Sequence, residues 1–209
     1  MKAVVGATVV LCLALPAAAA AAPAKPLCNL VVDDAGDAAP LPFVPVPADP
    51  TLDLLSGDVA GDSSWFTVVL RVADLNPTPP PPFDYDYNFI LSTGEETLQF
   101  AAAVTFGAPA RYSVSADEQG FGIDHLGQSQ QLPVRVIGSM SAARNEIRMS
   151  VRMRELAAHT HVRVRRAVGE FFLFAAQTVA NTGASSDSAS GRDPYRVGAR
   201  SCVKPGPAA

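Results

Sequence analysis

Three aspartates, Asp33, Asp34 and Asp37, cluster around Gly36 near the start of the chain. Carboxylates at such close spacing can wrap a hard cation through oxygen. Asp187 lies far along the chain, in a stretch expected to be a polar loop over 184–193. It completes the shell if the two ends of the fold meet. Outside a cell, calcium is the natural ion for such ligands. The spacing is not that of an EF-hand loop. The same residues also suit a polar turn held by Asx hydrogen bonds, and both readings stand. Asp53, Asp58 and Asp62 follow within a short distance and read as turn or strand-start residues.

Other residues that could do chemistry are sparse. His159 and His161 sit two apart and share a face if the segment is extended, which would suit zinc or copper, but no third ligand is near. His125 follows Asp124, far from that pair. Haem needs an axial Met or His in a pocket, and Met149 and Met153 read as core by alternation. A sugar-binding face needs exposed rings, for which Trp65, Tyr85, Tyr87 and Tyr112 are the candidates. The same rings are equally at home covering or filling a sandwich. No G-x-S-x-G elbow is present, and no flanking pattern singles out a carboxylate pair for glycoside cleavage. The residues therefore predict binding rather than catalysis.

The first residues indicate where the chain works. Met1 and Lys2 lead into an apolar run over 3–15, then Pro16 and an alanine tract to Ala24. This is the pattern of a secretory signal peptide over 1–24, with the cut after Ala22 or Ala24. The apolar run is shorter than the roughly 20 residues a transmembrane helix needs. Leucine precedes both Cys12 and Cys28, which disfavours lipoprotein processing. An exported, extracellular chain of about 185 residues follows, enough for one domain with a substantial core.

Cys12 leaves with the leader, so Cys28 and Cys202 remain at the two ends. An even pair in an exported protein reads as a disulfide, whereas free thiols are disfavoured in an oxidising compartment. Charge is unevenly shared along the chain. Residues 25–100 carry 12 acidic side chains against Lys25 and Arg71, and residues 101–209 carry 8 acidic against 13 basic. Neighbouring strands of one sandwich can balance such a split. The mild net charge of −4 argues against a nucleic-acid partner.

The elements that must position these residues are strands. Period-two alternation recurs, and no long 3.6-residue apolar period is present. Over 65–74, Phe66, Val68, Leu70 and Val72 face one way, while Thr67, Val69, Arg71 and Ala73 face the other. Residues 77–82 form a proline-rich crossing loop that cannot enter a sheet interior. Segments 85–92 and 97–106, joined by Thr93, Gly94 and Glu95, predict a hairpin. Further strands are expected at 111–115, 120–125, 132–139, 146–154, 171–180 and 195–198, with a helical turn at 155–160. In the 146–154 strand Arg148, Arg152 and Arg154 face outward, as a solvated edge or a polyanion site. The expected architecture is a single all-β sandwich over 25–203 with a flexible tail over 204–209.

The stretch 52–75, LDLLSGDVAGDSSWFTVVLRVADL, resembles a motif of secreted bacterial β-sandwich domains of the DOMON-like and family 9 carbohydrate-binding-module group. Asp34-Ala35-Gly36-Asp37 matches the opening segment of that group, and Asp86 to Phe89 resembles its Y-x-N-F strand. Cys28 and Cys202 resemble the terminal cysteines of its secreted members. The resemblance implies a jelly-roll-type antiparallel sandwich whose relatives bind sugars, haem or calcium. The expected role is a secreted, non-catalytic module for carbohydrate or a cell-envelope component, with a calcium site. The alternatives are a structural or interaction protein with no small ligand and, further off, a secreted hydrolase.

Overall fold

A computed structural model describes residues 25–40, 49–117, 129–179 and 182–208. The leader at 1–24, the strand expected at 120–125 with Asp124 and His125, and the turn residue Asn181 lie outside the described residues.

The fold is an all-β sandwich. Its strands are β1 (Val31–Val32), β2 (Ala39–Pro40), β3 (Leu54–Gly61), β4 (Trp65–Val72), β5 (Phe83–Ser92), β6 (Thr97–Thr105) and β7 (Arg111–Asp117). They continue with β8 (Gln130–Gln131), β9 (Val136–Ser141), β10 (Glu146–Arg152), β11 (Ala167–Val179), β12 (Thr182–Gly191) and β13 (Tyr195–Arg196). One sheet runs β1-β3-β4-β10-β9. The other runs β2-β12-β11-β5-β6-β7-β8, with β13 paired to β11. Pairing between the named strands is antiparallel throughout.

Alternation places the core between the sheets. Phe66, Val68, Leu70 and Val72 of β4 meet Ile147, Met149 and Val151 of β10 on the inner face of the first sheet. Tyr85, Tyr87, Phe89 and Leu91 of β5, Leu98 and Phe100 of β6, and Phe171 and Leu173 of β11 answer from the second. Phe66 stacks on Phe100 across the gap with ring centres 5.8 Å apart. The hairpin β5–β6 closes where Thr93 N donates to Glu96 O at 2.9 Å, and Gly94 takes a φ of +82° that other residues adopt at a cost.

Three expectations need correction. The 184–193 stretch is not a loop: β12 pairs along β11 from Thr182 to Gly191. Its serines at 188 and 190 lie on the exposed side while Asp187 and Ala189 are buried, so the outer side needs no apolar side chains. The 146–154 strand stops at Arg152, and an α-helix, α1 (Met153–His159), begins where Met153 and Leu156 turn inward at helical spacing. Residues 204–208 do not form a loose tail. Gly206 N donates to Thr67 Oγ1 at 2.8 Å, and Arg148 Nη1 donates to the carbonyls of Lys204 and Gly206 at 2.9 and 3.0 Å. Val203 covers Val69 and Ala60 on the outer face of the first sheet. The outward face of β4 is thus buried by the chain's own carboxyl-terminal segment.

Cys28 and Cys202 form a disulfide with Cα atoms 5.2 Å apart and 174 residues of chain between them. Beside it Leu27 and Ser201 form a parallel bridge, so both ends of the fold are held at one corner.

Candidate functional site

The sheet packing brings the amino-terminal aspartates to Asp187. β1 adds to the edge of β3, pairing Val31 with Gly57 and Val32 with Ser56, and Asp33 follows directly. Asp33 N donates to Leu55 O at 3.1 Å, which fixes where the acidic loop leaves the sheet. β12 presents Asp187 inward from the facing sheet. Carboxylate oxygens of Asp33, Asp37 and Asp187 all lie within 4.8 Å of one another.

Each carboxylate is held differently. Asp187 Oδ2 accepts Leu54 N at 2.7 Å, and its Oδ1 accepts Ser188 N at 2.7 Å. Asp33 Oδ1 accepts Asp34 N at 3.1 Å, whereas Asp33 Oδ2 is shut off from solvent with no hydrogen-bond partner among the described residues. Asp37 is exposed. Both oxygens of Asp53 accept Gly36 N, at 3.0 and 2.8 Å, and so hold the loop that carries Asp33 and Asp37. Among the described residues, none of these four carboxylates forms an ion pair with a basic side chain.

Crowding shows in the protonation equilibria. Burial, followed by the carboxylates of Asp187 and Asp37, raises Asp33 from 3.8 to about 6. Asp187 is also raised, first by burial and then by Asp37 and Asp53, against the hydrogen bonds from Leu54 and Ser188. Negative charges gathered out of water repel one another, and a divalent cation relieves that repulsion.

The remaining sequence candidates separate. Asp34 is exposed and stands outside the trio. Asp58 is buried in an ion pair with Arg71 Nη1 at 2.6 Å and accepts Asn29 N at 2.5 Å. Asp62 shapes a turn, accepting Ser64 N at 2.6 Å and Trp65 N at 2.8 Å. His159 ends α1, whereas His161 sits beyond it. The His161 ring faces Glu95 Oε2 at 3.1 Å and Glu96 Oε1 at 3.4 Å. Among the described residues, neither histidine belongs to a group of three or more metal-ligating side chains.

The four aromatic candidates do not make a sugar platform. Tyr85 and Tyr87 point into the core. Their hydroxyls donate to Asp49 Oδ2 at 2.5 Å and Thr51 O at 3.2 Å. Burial raises both phenols above their ordinary value. Tyr112 is half-buried over Gly138, where an added Cβ would come within 2.1 Å of its ring. Trp65 is likewise partly exposed, and the Arg152 guanidinium lies 3.9 Å from its ring centre.

Asp53 was legible only as a turn residue, because nothing local to 53 shows that its carboxylate will meet the N–H of Gly36. No protein family, curated protein or solved structure matches the chain. Among the described residues, no helix is long and apolar enough to cross a membrane.

Proposed function

We propose that this chain is an exported, non-catalytic binding module whose amino-terminal segment is clamped to the sandwich by calcium at Asp33, Asp37 and Asp187. One observation carries the reading. Three carboxylates from opposite ends of the chain converge within 4.8 Å, and one of them buries an oxygen with no donor. Hard cations with flexible oxygen coordination suit such a cluster, with water or backbone carbonyl oxygens completing the six to eight ligands calcium takes. Export rests on the leader over 1–24 and agrees with the disulfide. Carbohydrate or a cell-envelope component is the partner that the resemblance of the 52–75 block implies.

Calorimetric titration of the exported chain with calcium chloride at neutral pH tests the site. Saturable binding is expected, with a rise in melting temperature that grows with free calcium. Asp33→Asn should abolish both. No heat and no thermal shift in the parent chain would overturn the calcium reading.

A further inference from the structure

The outer face of the first sheet carries a row of arginines that ends in a cleft. Arg148 and Arg152 stand four residues apart on β10, about 13 Å along the strand at a rise near 3.3 Å per residue. The carboxyl-terminal segment claims the first of them. Arg148 is only 13% exposed, pairs with Glu146 and donates to the carbonyls of Lys204 and Gly206. Arg152 and Arg154 are different. Both are exposed, and neither forms an ion pair among the described residues. With Ser63, Ser64 and Glu155 they line a cleft of about 410 Å³.

We propose that this cleft binds an acidic sugar, taking its sulfate or carboxylate group between Arg152 and Arg154. The proposal rests on the binding-module reading and gives the ligand of that module a chemistry. Guanidinium forks match the oxygens of such groups in pairs. Arg152 is held in advance by the ring of Trp65, so less side-chain freedom is lost on binding. The Ser63–Ser64 turn is fixed by Asp62 Oδ1, which accepts both Ser64 N and Trp65 N. Ser63 and Ser64 therefore line the cleft from a turn held at its backbone. Glu155 Oε2 accepts Arg135 N at 3.3 Å, which anchors the opposite wall and leaves Oε1 to accept from a sugar hydroxyl.

The charge of two arginines against one glutamate leaves the cleft positive. A neutral sugar would leave both guanidinia unpaired. The volume exceeds that of a bare ion and falls within the range of small-molecule sites. A single-stranded nucleic acid would want an open aromatic face for its bases, and Arg152 already covers the Trp65 ring.

Trp65 is the sole tryptophan and its ring carries Arg152 of the cleft, so intrinsic fluorescence reports on that arginine. The exported chain is titrated with dextran sulfate, polygalacturonate and unmodified dextran, and with sodium sulfate against sodium chloride at matched ionic strength. A saturable change in Trp65 emission is expected with at least one acidic polymer, and the responding polymer identifies the acid group. No change is expected with dextran, and sodium sulfate should exceed sodium chloride if sulfate is that group. Arg154→Ala should weaken the response at least tenfold. Arg196→Ala, an exposed arginine on β13, should leave it unchanged. Equal responses from the parent and Arg154→Ala, a response to plain dextran, or no response to either acidic polymer would overturn the proposal. Melting temperature with and without calcium is read on the same samples. A calcium shift that persists beside flat fluorescence discards the cleft alone, and the reverse pattern discards the calcium site alone.

Discussion

Asp187 of β12 accepts the backbone N–H of Leu54 in β3 at 2.7 Å, and this hydrogen bond joins the two sheets beneath the acidic cluster. The residues that meet there are 133 positions apart in the chain. Anything that changes the charge state of the cluster therefore acts on the seam between the sheets, and on the amino-terminal segment held against it.

Stability should depend on pH and calcium together. The folded value for Asp33, about 6, lies above its ordinary 3.8. Between those values the native state holds a proton that the unfolded chain has lost. Without metal, this contribution is present at low pH and is lost as pH rises through about 6. Calcium requires the ionised form, so its stabilisation grows over the same window. Melting temperatures in chelator should fall from pH 4.5 to pH 7.5 more for the parent than for Asp33→Asn. The calcium-induced rise should be small at pH 4.5 and largest at pH 7.5. Asp187 adds to the trend with the same sign.

Removal of the disulfide should loosen the corner that holds both termini. The loop it closes spans 174 residues, for which the chain-entropy model gives about 5 kcal/mol and measured bridges roughly 2–5 kcal/mol. Cys28→Ser with Cys202→Ser should lower the urea midpoint accordingly. Hydrogen exchange should show faster exchange at Gly206 N–H, whose acceptor is Thr67 Oγ1. An unchanged midpoint would contradict this.

Asp58→Ala should be among the more damaging surface-strand substitutions. The Asp58 side chain is 1% exposed and pairs with Arg71 at 2.6 Å. It also accepts Asn29 N, next to the disulfide. Truncation leaves that N–H without its acceptor and Arg71 with only Ser56 Oγ at 3.3 Å and Glu146 Oε2 at 3.9 Å, a loss of about 1–3 kcal/mol. Urea denaturation checks the size. Asp58→Asn, which keeps an oxygen for Asn29 N, should lose less.

Gly191→Ala should separate packing from ligation. A Cβ there would lie 2.0 Å from Leu30 O, a backbone atom that cannot swing aside. β1 must then shift, carrying Asp33 away from Asp187. The substitution should cost roughly 1–3 kcal/mol, as overpacking does, and should weaken calcium binding in calorimetry although it touches no carboxylate. Binding equal to the parent would show that the register of β1 does not matter to the cluster.

The residue pattern alone determined the sandwich. Alternation in β4 and β10, the β5–β6 hairpin with Gly94 at its turn, and the pairing of Cys28 with Cys202 are local or countable features, and each emerged where expected. The acidic loop was readable as a loop, because glycine and aspartate favour turns wherever they stand. Tertiary structure decided what that pattern could not carry. β12 is a strand because β11 offers it a ladder, not because its serines prefer one. Tyr85 and Tyr87 are core because the facing sheet covers them. Residues 204–208 are held because Arg148 and Thr67 lie beneath them. Asp187 meets Asp33 because two sheets pack face to face. The reason is common to all four. Period and turn chemistry act over a few neighbours along the chain, whereas pairing, burial and ligand convergence depend on partners in other elements, from the adjoining strand for β12 to the 133 positions between Leu54 and Asp187.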